Sequence, residues 1–110
     1  MDELVFKVKG SSSDPYEITF IKDGASLTAI CTCPAGTFGN LCKHRVAIID
    51  GKTESIVSDN ADQVPKIADW LRGTDVEVAL TELRAAEIVK GFPKEEIKIL
   101  KRNLARVMNT

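Results

Sequence analysis

Hydrophobic and polar positions alternate along the first part of the chain, with the two-residue period of a half-buried β-strand. Leu4, Phe6 and Val8 form one such set, separated by Val5 and Lys7. A stretch rich in glycine, serine and proline at residues 10–15 follows, and this composition is typical of a loop. The pattern therefore predicts a first strand that ends before residue 10.

Two further alternating segments, residues 16–22 and 25–31, flank Asp23-Gly24. This dipeptide is a strong signal for a hairpin with a two-residue turn. Such a turn brings the apolar faces of the two strands together, which supports the pairing. The expected pairs are Lys22 with Ala25, Phe20 with Leu27, Ile18 with Ala29, and Tyr16 with Cys31. Together the three strands predict an antiparallel β-meander.

Helical spacing replaces this alternation in the second half. Apolar residues recur at helical intervals over 64–71, and Gly73 follows as a stop signal. Thr74-x-x-Glu77 has the form of a capping box and opens a segment that runs to Lys90. That segment is largely apolar, so we expect it to be the most buried helix. A last helix begins at Pro93, and its apolar stripe contains Ile97, Leu100, Leu104, Val107 and Met108.

Two segments allow a second interpretation. Asp50-Gly51 could turn a hairpin from residues 46–49 into 53–57, or Gly51 could end a short helix over 43–50. Val76, Val78 and Leu80 also alternate, so a short strand before Thr81 competes with the start of the capped helix.

Length and charge exclude several classes of protein. The 110 residues fit a single domain, 1–110, and 15 Lys and Arg against 16 Asp and Glu give a net charge of −1, which makes no case for a nucleic-acid binder. No apolar run approaches the roughly 20 residues that span a bilayer, and the acidic N-terminus does not resemble a signal peptide. We therefore expect a cytoplasmic protein with no membrane partner.

All the soft metal ligands of the chain are concentrated in one short window. The three cysteines and the single histidine form two pairs, Cys31-Thr-Cys33 and Cys42-Lys-His44. Three thiolates and one imidazole complete the tetrahedral shell that structural zinc prefers. Residues i and i+2 of an extended strand point the same way, so the first pair can face one ion. We expect one structural zinc ion, and no catalytic role, because no coordination position is left for water.

The surroundings of the cluster suit thiolate ligands. Lys43 and Arg45 flank His44, and no Asp or Glu occurs in residues 24–49. Three thiolates and a divalent cation carry one net negative charge, which these cations can offset from outside the ligand set.

The spacing Cys-x-Cys, a gap, and Cys-x-His resembles the SWIM-type zinc finger over roughly residues 14–51. The resemblance implies that Cys31, Cys33, Cys42 and His44 are the four ligands. It also implies that residues 43–50 form the short helix rather than a hairpin. Fingers of this family are thought to contact DNA or protein. The resemblance covers a zinc-binding subdomain at 14–51. The helical spacing predicts a helical subdomain at 62–108, on which the resemblance has no bearing.

Cations accumulate near the C-terminus. Residues 84–110 hold seven cations and three anions. Five of the cations share one flank of the last predicted helix, which we call the basic flank: Lys94, Lys98, Lys101, Arg102 and Arg106. The flank could contact phosphates or an acidic partner, or be a solvated surface.

These observations predict an α+β chain, with an N-terminal β-meander, a zinc-binding loop, a short helix and about three C-terminal helices. The expected function is an adaptor that binds a protein partner. The alternative is a nucleic-acid-associated module that uses Lys43, Arg45 and the basic flank. No small-molecule substrate is indicated.

Overall fold

The computed structural model describes residues 2–109. Within them, strands β1 (Asp2–Val8), β2 (Tyr16–Asp23) and β3 (Ser26–Cys31) form one antiparallel sheet in the order β1-β2-β3. The predicted meander is confirmed.

The predicted register of the β2–β3 hairpin is wrong by two residues. Phe20 pairs with Ala29, and Ile18 pairs with Cys31. Gly24 and Ala25 are the central turn residues, since Asp23 pairs with Ser26 and Gly24 takes φ +59°. Glycine with positive φ at the first central position is the pattern of a type II′ turn, which suits the twist of a hairpin. A shift of two residues leaves every side chain on its expected face.

Helical elements make up most of the remaining chain. Two short helices lie in the finger region, α1 (Pro34–Thr37) and α2 (Lys43–Ile49). After a 3₁₀ turn at Ala61–Gln63 come α3 (Val64–Leu71), α4 (Asp75–Glu87) and α5 (Lys94–Met108). The α+β class and the three C-terminal helices are confirmed.

The two segments for which the sequence allowed both a helix and a strand are helical. Residues 43–49 are helical, and Gly51 follows with φ +85°. The alternative hairpin between residues 46–49 and 53–57 does not form, and Ile56 instead makes an isolated bridge to Val8 of β1. The helix after Thr74 begins as the capping box predicts, because the Thr74 hydroxyl accepts from the Glu77 backbone N–H. The Glu77 carboxylate accepts a hydrogen bond from the backbone N–H of Gly73, at 3.0 Å, rather than from that of Thr74.

One face of the sheet packs against the helices to form the core. Phe6 and Phe20 meet edge to face, with ring centroids 6.0 Å apart, and both are fully buried. Leu104 and Met108 bring α5 into the same core. The expectation that α4 is the most buried helix is wrong: four of its 13 residues are buried, against three of seven in α2.

No helix in residues 2–109 has the length and apolar character needed to cross a membrane.

Candidate metal centre

The two predicted ligand pairs converge on one point at the end of the sheet. Cys31 closes β3, Cys33 caps α1, Cys42 caps α2, and His44 lies in the first turn of α2. Their ligand atoms all lie within 4.8 Å of one another, and the three cysteines are buried free thiols. The end of β3 and the cap of α1 therefore supply one pair, and the start of α2 supplies the other.

The loop between the pairs is built around Gly36. A Cβ atom at this position would lie 2.3 Å from the Cys31 carbonyl oxygen, a distance that no side chain tolerates. The backbone N–H of Gly36 donates to the Cys33 sulfur at 3.3 Å. Glycine thus lets the loop close over the strand end and stabilises negative charge on one ligand.

Arg45 connects the cluster to the rest of the molecule. Its side chain is fully buried, and its Nε donates to the Cys42 sulfur at 3.2 Å. Its terminal nitrogens donate to the carbonyl oxygens of Ala29, at 2.8 Å, and Asn40. The Ala29 bond covers the outer edge of β3. These three contacts, and a fourth to Asn109, explain how a guanidinium is accommodated in the core.

The C-terminal end of α5 reaches the same centre through Asn109. The Asn109 Oδ1 accepts from Arg45 at 2.8 Å, and its Nδ2 donates to the Gly39 carbonyl oxygen at 3.1 Å. This residue was not identified from the sequence. Its partners lie 64 and 70 positions away, so no local pattern indicates the contact.

A hydrogen bond between the thiols of Cys31 and Cys42 shifts their pKa values in opposite directions. The hydrogen bond from Cys31, together with the Arg45 backbone N–H and guanidinium, holds the pKa of Cys42 well below its ordinary value. The same hydrogen bond, with burial, raises the pKa of Cys31. Cys42 is therefore the thiol of the pair that ionises more readily, beside the guanidinium of Arg45.

His44 occupies the half-buried side of the cluster. Its Nδ1 lies 4.0 Å from the Cys31 sulfur, and its ring is tilted against Tyr16 with centroids 5.4 Å apart. The Tyr16 contact positions the imidazole toward the thiols.

The residues fit zinc by chemistry and by distance. Tetrahedral coordination with Zn–S bonds of about 2.3 Å separates the ligand sulfurs by about 3.8 Å. The observed maximum of 4.8 Å between ligand atoms needs only a small contraction. The donor set contains three sulfurs and an imidazole and no carboxylate, and such a set favours zinc over a hard cation.

The predicted partner contacts fall into two groups. Lys43 is exposed at the start of α2, and all five residues of the basic flank are exposed on α5. Arg45 is different, because its guanidinium is buried and is used within the molecule. The prediction that Arg45 contacts a partner directly therefore does not fit the structure, whereas its predicted place beside the ligands does.

The family model of the SWIM zinc finger matches residues 16–50. The match contains all four clustered donors and agrees with the resemblance seen in the motif spacing. No curated protein and no solved structure matches the chain.

Proposed function

Taking residues 16–50 as a SWIM zinc finger, we propose that this chain is a non-catalytic module that holds one structural zinc ion and binds a protein partner. The observation that carries the proposal is the convergence of four protein donors, three of them buried, within 4.8 Å. Four protein ligands fill a tetrahedral shell and leave no position for water or substrate. Bound zinc would thus supply a cross-link between β3 and α2.

The residues of the chain balance the charge of such a site. Three thiolates and one zinc ion carry a net charge of −1, and the buried guanidinium of Arg45 lies against the Cys42 sulfur. The centre as a whole is then close to neutral, which lowers the cost of burying it. Thiolate ligands also need a reducing environment, so we place the protein in the cytoplasm.

Two observations support a protein partner over nucleic acid. The net charge is −1, which provides no general attraction to phosphates. Arg45, one of the cations that a nucleic-acid contact would use, is 0% exposed.

Zinc content and partner capture test the proposal. Elemental analysis of protein prepared without added metal should give one zinc per chain. Affinity purification from the native host, with nuclease treatment, should retain a protein in stoichiometric amount, and Cys42→Ser should lose it. Zinc near zero with a disulfide between Cys31 and Cys33, or capture that disappears with nuclease, contradicts the proposal.

The basic flank on α5 keeps nucleic acid as a second candidate. Its five cations are exposed, and the ion pair that the structure shows there, Lys98 with Glu95 at 3.4 Å, is itself exposed. We expect weak binding of DNA that Lys98→Glu and Arg102→Glu remove. Each phosphate contact should contribute about 0.9 to the log–log salt slope. Titration of labelled DNA at two salt concentrations measures this, and tight, salt-resistant binding would favour the nucleic-acid function.

A further inference from the structure

A groove of about 720 Å³ runs beside the metal centre, between the end of β1, helix α2 and residues 52–56. We call it the lysine groove, after Lys9, Lys43 and Lys52 at its edges. Its outer wall is tied to β1 by two backbone hydrogen bonds of 2.8 Å, from Lys9 N–H to Ser55 and from Val57 N–H to Lys7. These bonds indicate a groove that exists before any ligand arrives.

The charge of the groove is opposite to that of the whole chain. Its lining contains three lysines and two acids, Asp50 and Glu54. Asp50 is already paired with Arg84 from α4, so its charge is offset. Three lysines against one remaining acid give the groove a positive potential, in a protein whose net charge is −1. A ligand with carboxylates or other anionic groups is therefore favoured.

The side chains that line the groove favour a peptide over a nucleic acid as its ligand. The lining includes the aliphatic side chains of Val8, Ala47 and Ile56. No phenylalanine, tyrosine or tryptophan is among the groove residues, all of which the structure describes. Base stacking, which supplies much of single-strand affinity, therefore lacks its usual platform. Aliphatic surface bordered by lysines instead matches alternating apolar and acidic side chains.

From these observations we propose that the lysine groove binds an extended segment of a partner protein that carries both aliphatic and acidic side chains. This inference rests on the proposed adaptor function and names the chemistry of the partner. It assigns the apolar side chains to the groove floor and the carboxylates to the lysines at the edges. The volume lies within the range of about 300–1,000 Å³ that is usual for ligand sites.

The metal centre and the groove share a wall. His44 belongs to both the ligand cluster and the groove lining, and Lys43 lies between the ligands Cys42 and His44. Fixing these two ligands also fixes the backbone that carries Lys43. We therefore expect the groove to keep its shape only while the cluster is intact.

Selection from a random decapeptide display library on the zinc-loaded full chain tests the proposal. Enriched peptides should carry net negative charge and aliphatic residues. Lys52→Glu, outside the ligand cluster, and Lys43→Glu should each weaken binding of these peptides by about five- to tenfold, because each reversal replaces an attraction with a repulsion. Lys66→Glu, an exposed lysine on α3, is the matched control and should change affinity less than twofold. Zinc content and circular dichroism of each variant verify that the fold is intact.

The outcomes separate this inference from the adaptor function. No enriched peptide, enriched basic peptides, or an equal loss with Lys66→Glu would overturn the groove assignment. Binding of an oligothymidylate probe that both groove reversals abolish would assign the groove to nucleic acid and likewise overturn it. A host partner that binds both groove variants normally, but not Cys42→Ser, would support the adaptor function and reject the groove as its site.

Discussion

In the region that the SWIM zinc-finger model matches, which we call the finger, helix α2 has seven residues, whereas α4 and α5 have 13 and 15. The cap of α4 is a threonine that accepts a backbone hydrogen bond, while Cys42, the cap of α2, makes no such bond. A helix of two turns without a cap is not stable by itself. Two of the clustered donors, Cys42 and His44, lie at the start of α2, where α4 has its capping threonine, and a metal bound there would therefore hold the start of the helix.

The two regions differ also in how they use charge. Arg45 is buried at the finger, with four hydrogen-bond partners, whereas the cations of α5 are exposed to solvent. A buried guanidinium stabilises structure only while its partners are in place. The finger therefore depends on a small number of specific contacts around one buried cation, whereas the cations of α5 lie at the surface.

Removing the metal should have the largest effect. Cys42→Ser, or chelation, should disorder residues 25–51, since metal binding in zinc-finger peptides is worth about 10–16 kcal/mol. Helical circular dichroism should largely persist, because α3, α4 and most of α5 contact the core away from the cluster. The last turn of α5 should lose protection, because Asn109 contacts the finger loop. Hydrogen exchange measures both regions.

Ala85→Ser, on the exposed face of α4, is a control that adds a hydroxyl outside the finger. Unchanged protection over residues 25–51 after metal removal would show that the finger does not need its metal.

Arg45→Met should come next, with a loss of about 3–5 kcal/mol in the free energy of unfolding of the zinc-loaded protein. The substitution leaves the Ala29 and Asn40 carbonyl oxygens and Asn109 without their donor. Arg45→Lys should recover only part of this, because an ammonium cannot reproduce the planar guanidinium fork. Urea unfolding gives the values, and Arg106→Met on α5 should change stability by less than about 0.5 kcal/mol. Equal effects at the two arginines would contradict the comparison.

Gly36→Ala should destabilise the finger by about 1–3 kcal/mol, because the new methyl group must displace the Cys31 carbonyl. Zinc affinity, measured by competition with a chelator, should fall accordingly. Gly24→Ala is the matched control: its positive φ of +59° strains the hairpin turn, far from the ligands, so it lowers stability without lowering zinc affinity. Comparable zinc affinity in the two variants would argue against the close approach at Gly36.

Zinc affinity should fall with decreasing pH, by about 1.4 kcal/mol per unit for each proton displaced. The raised pKa of Cys31 means that its thiol holds a proton in the metal-free chain, and zinc must remove it. Cys42, whose pKa is lowered, is already a thiolate and adds no proton at neutral pH. Calorimetry in buffers of different ionisation enthalpy counts the protons. If zinc binding releases no proton at pH 7, this assignment is contradicted. The stability of the helical region should not show the same pH dependence.

The smallest effect is expected at the contact between the two regions. Asn109→Ala removes the bonds to Arg45 and to Gly39, and should cost about 1–2 kcal/mol. Faster hydrogen exchange should be confined to the last turn of α5 and the loop around Gly39. Asn103→Ala, also on α5, serves as the control. A double-mutant cycle with Arg45→Met that shows no coupling would mean that Asn109 does not join the regions.

Much of the fold followed from local patterns. The alternation of apolar and polar residues correctly placed Phe20 and Leu27 on the core face. The capping box correctly predicted that α4 starts directly after Thr74. The register of the hairpin did not follow, since a shift of two residues keeps every side chain on its face. The alternation pattern is the same in both registers, and only the conformation of the turn at Gly24 and Ala25 distinguishes them.

The sequence by itself identified the four clustered donors, because the chain contains no other cysteine or histidine and the spacing pairs them at one strand end and one helix start. The tertiary structure decided the direction of Arg45, which is next to a ligand in sequence yet points into the core toward Ala29 and Asn109. It also decided that Lys9, Lys43 and Lys52 surround one groove. The strands and helices follow from side-chain periodicity and helix capping, which depend on residues close together in the sequence. These other arrangements depend on contacts between residues many positions apart, and only the folded chain brings them together.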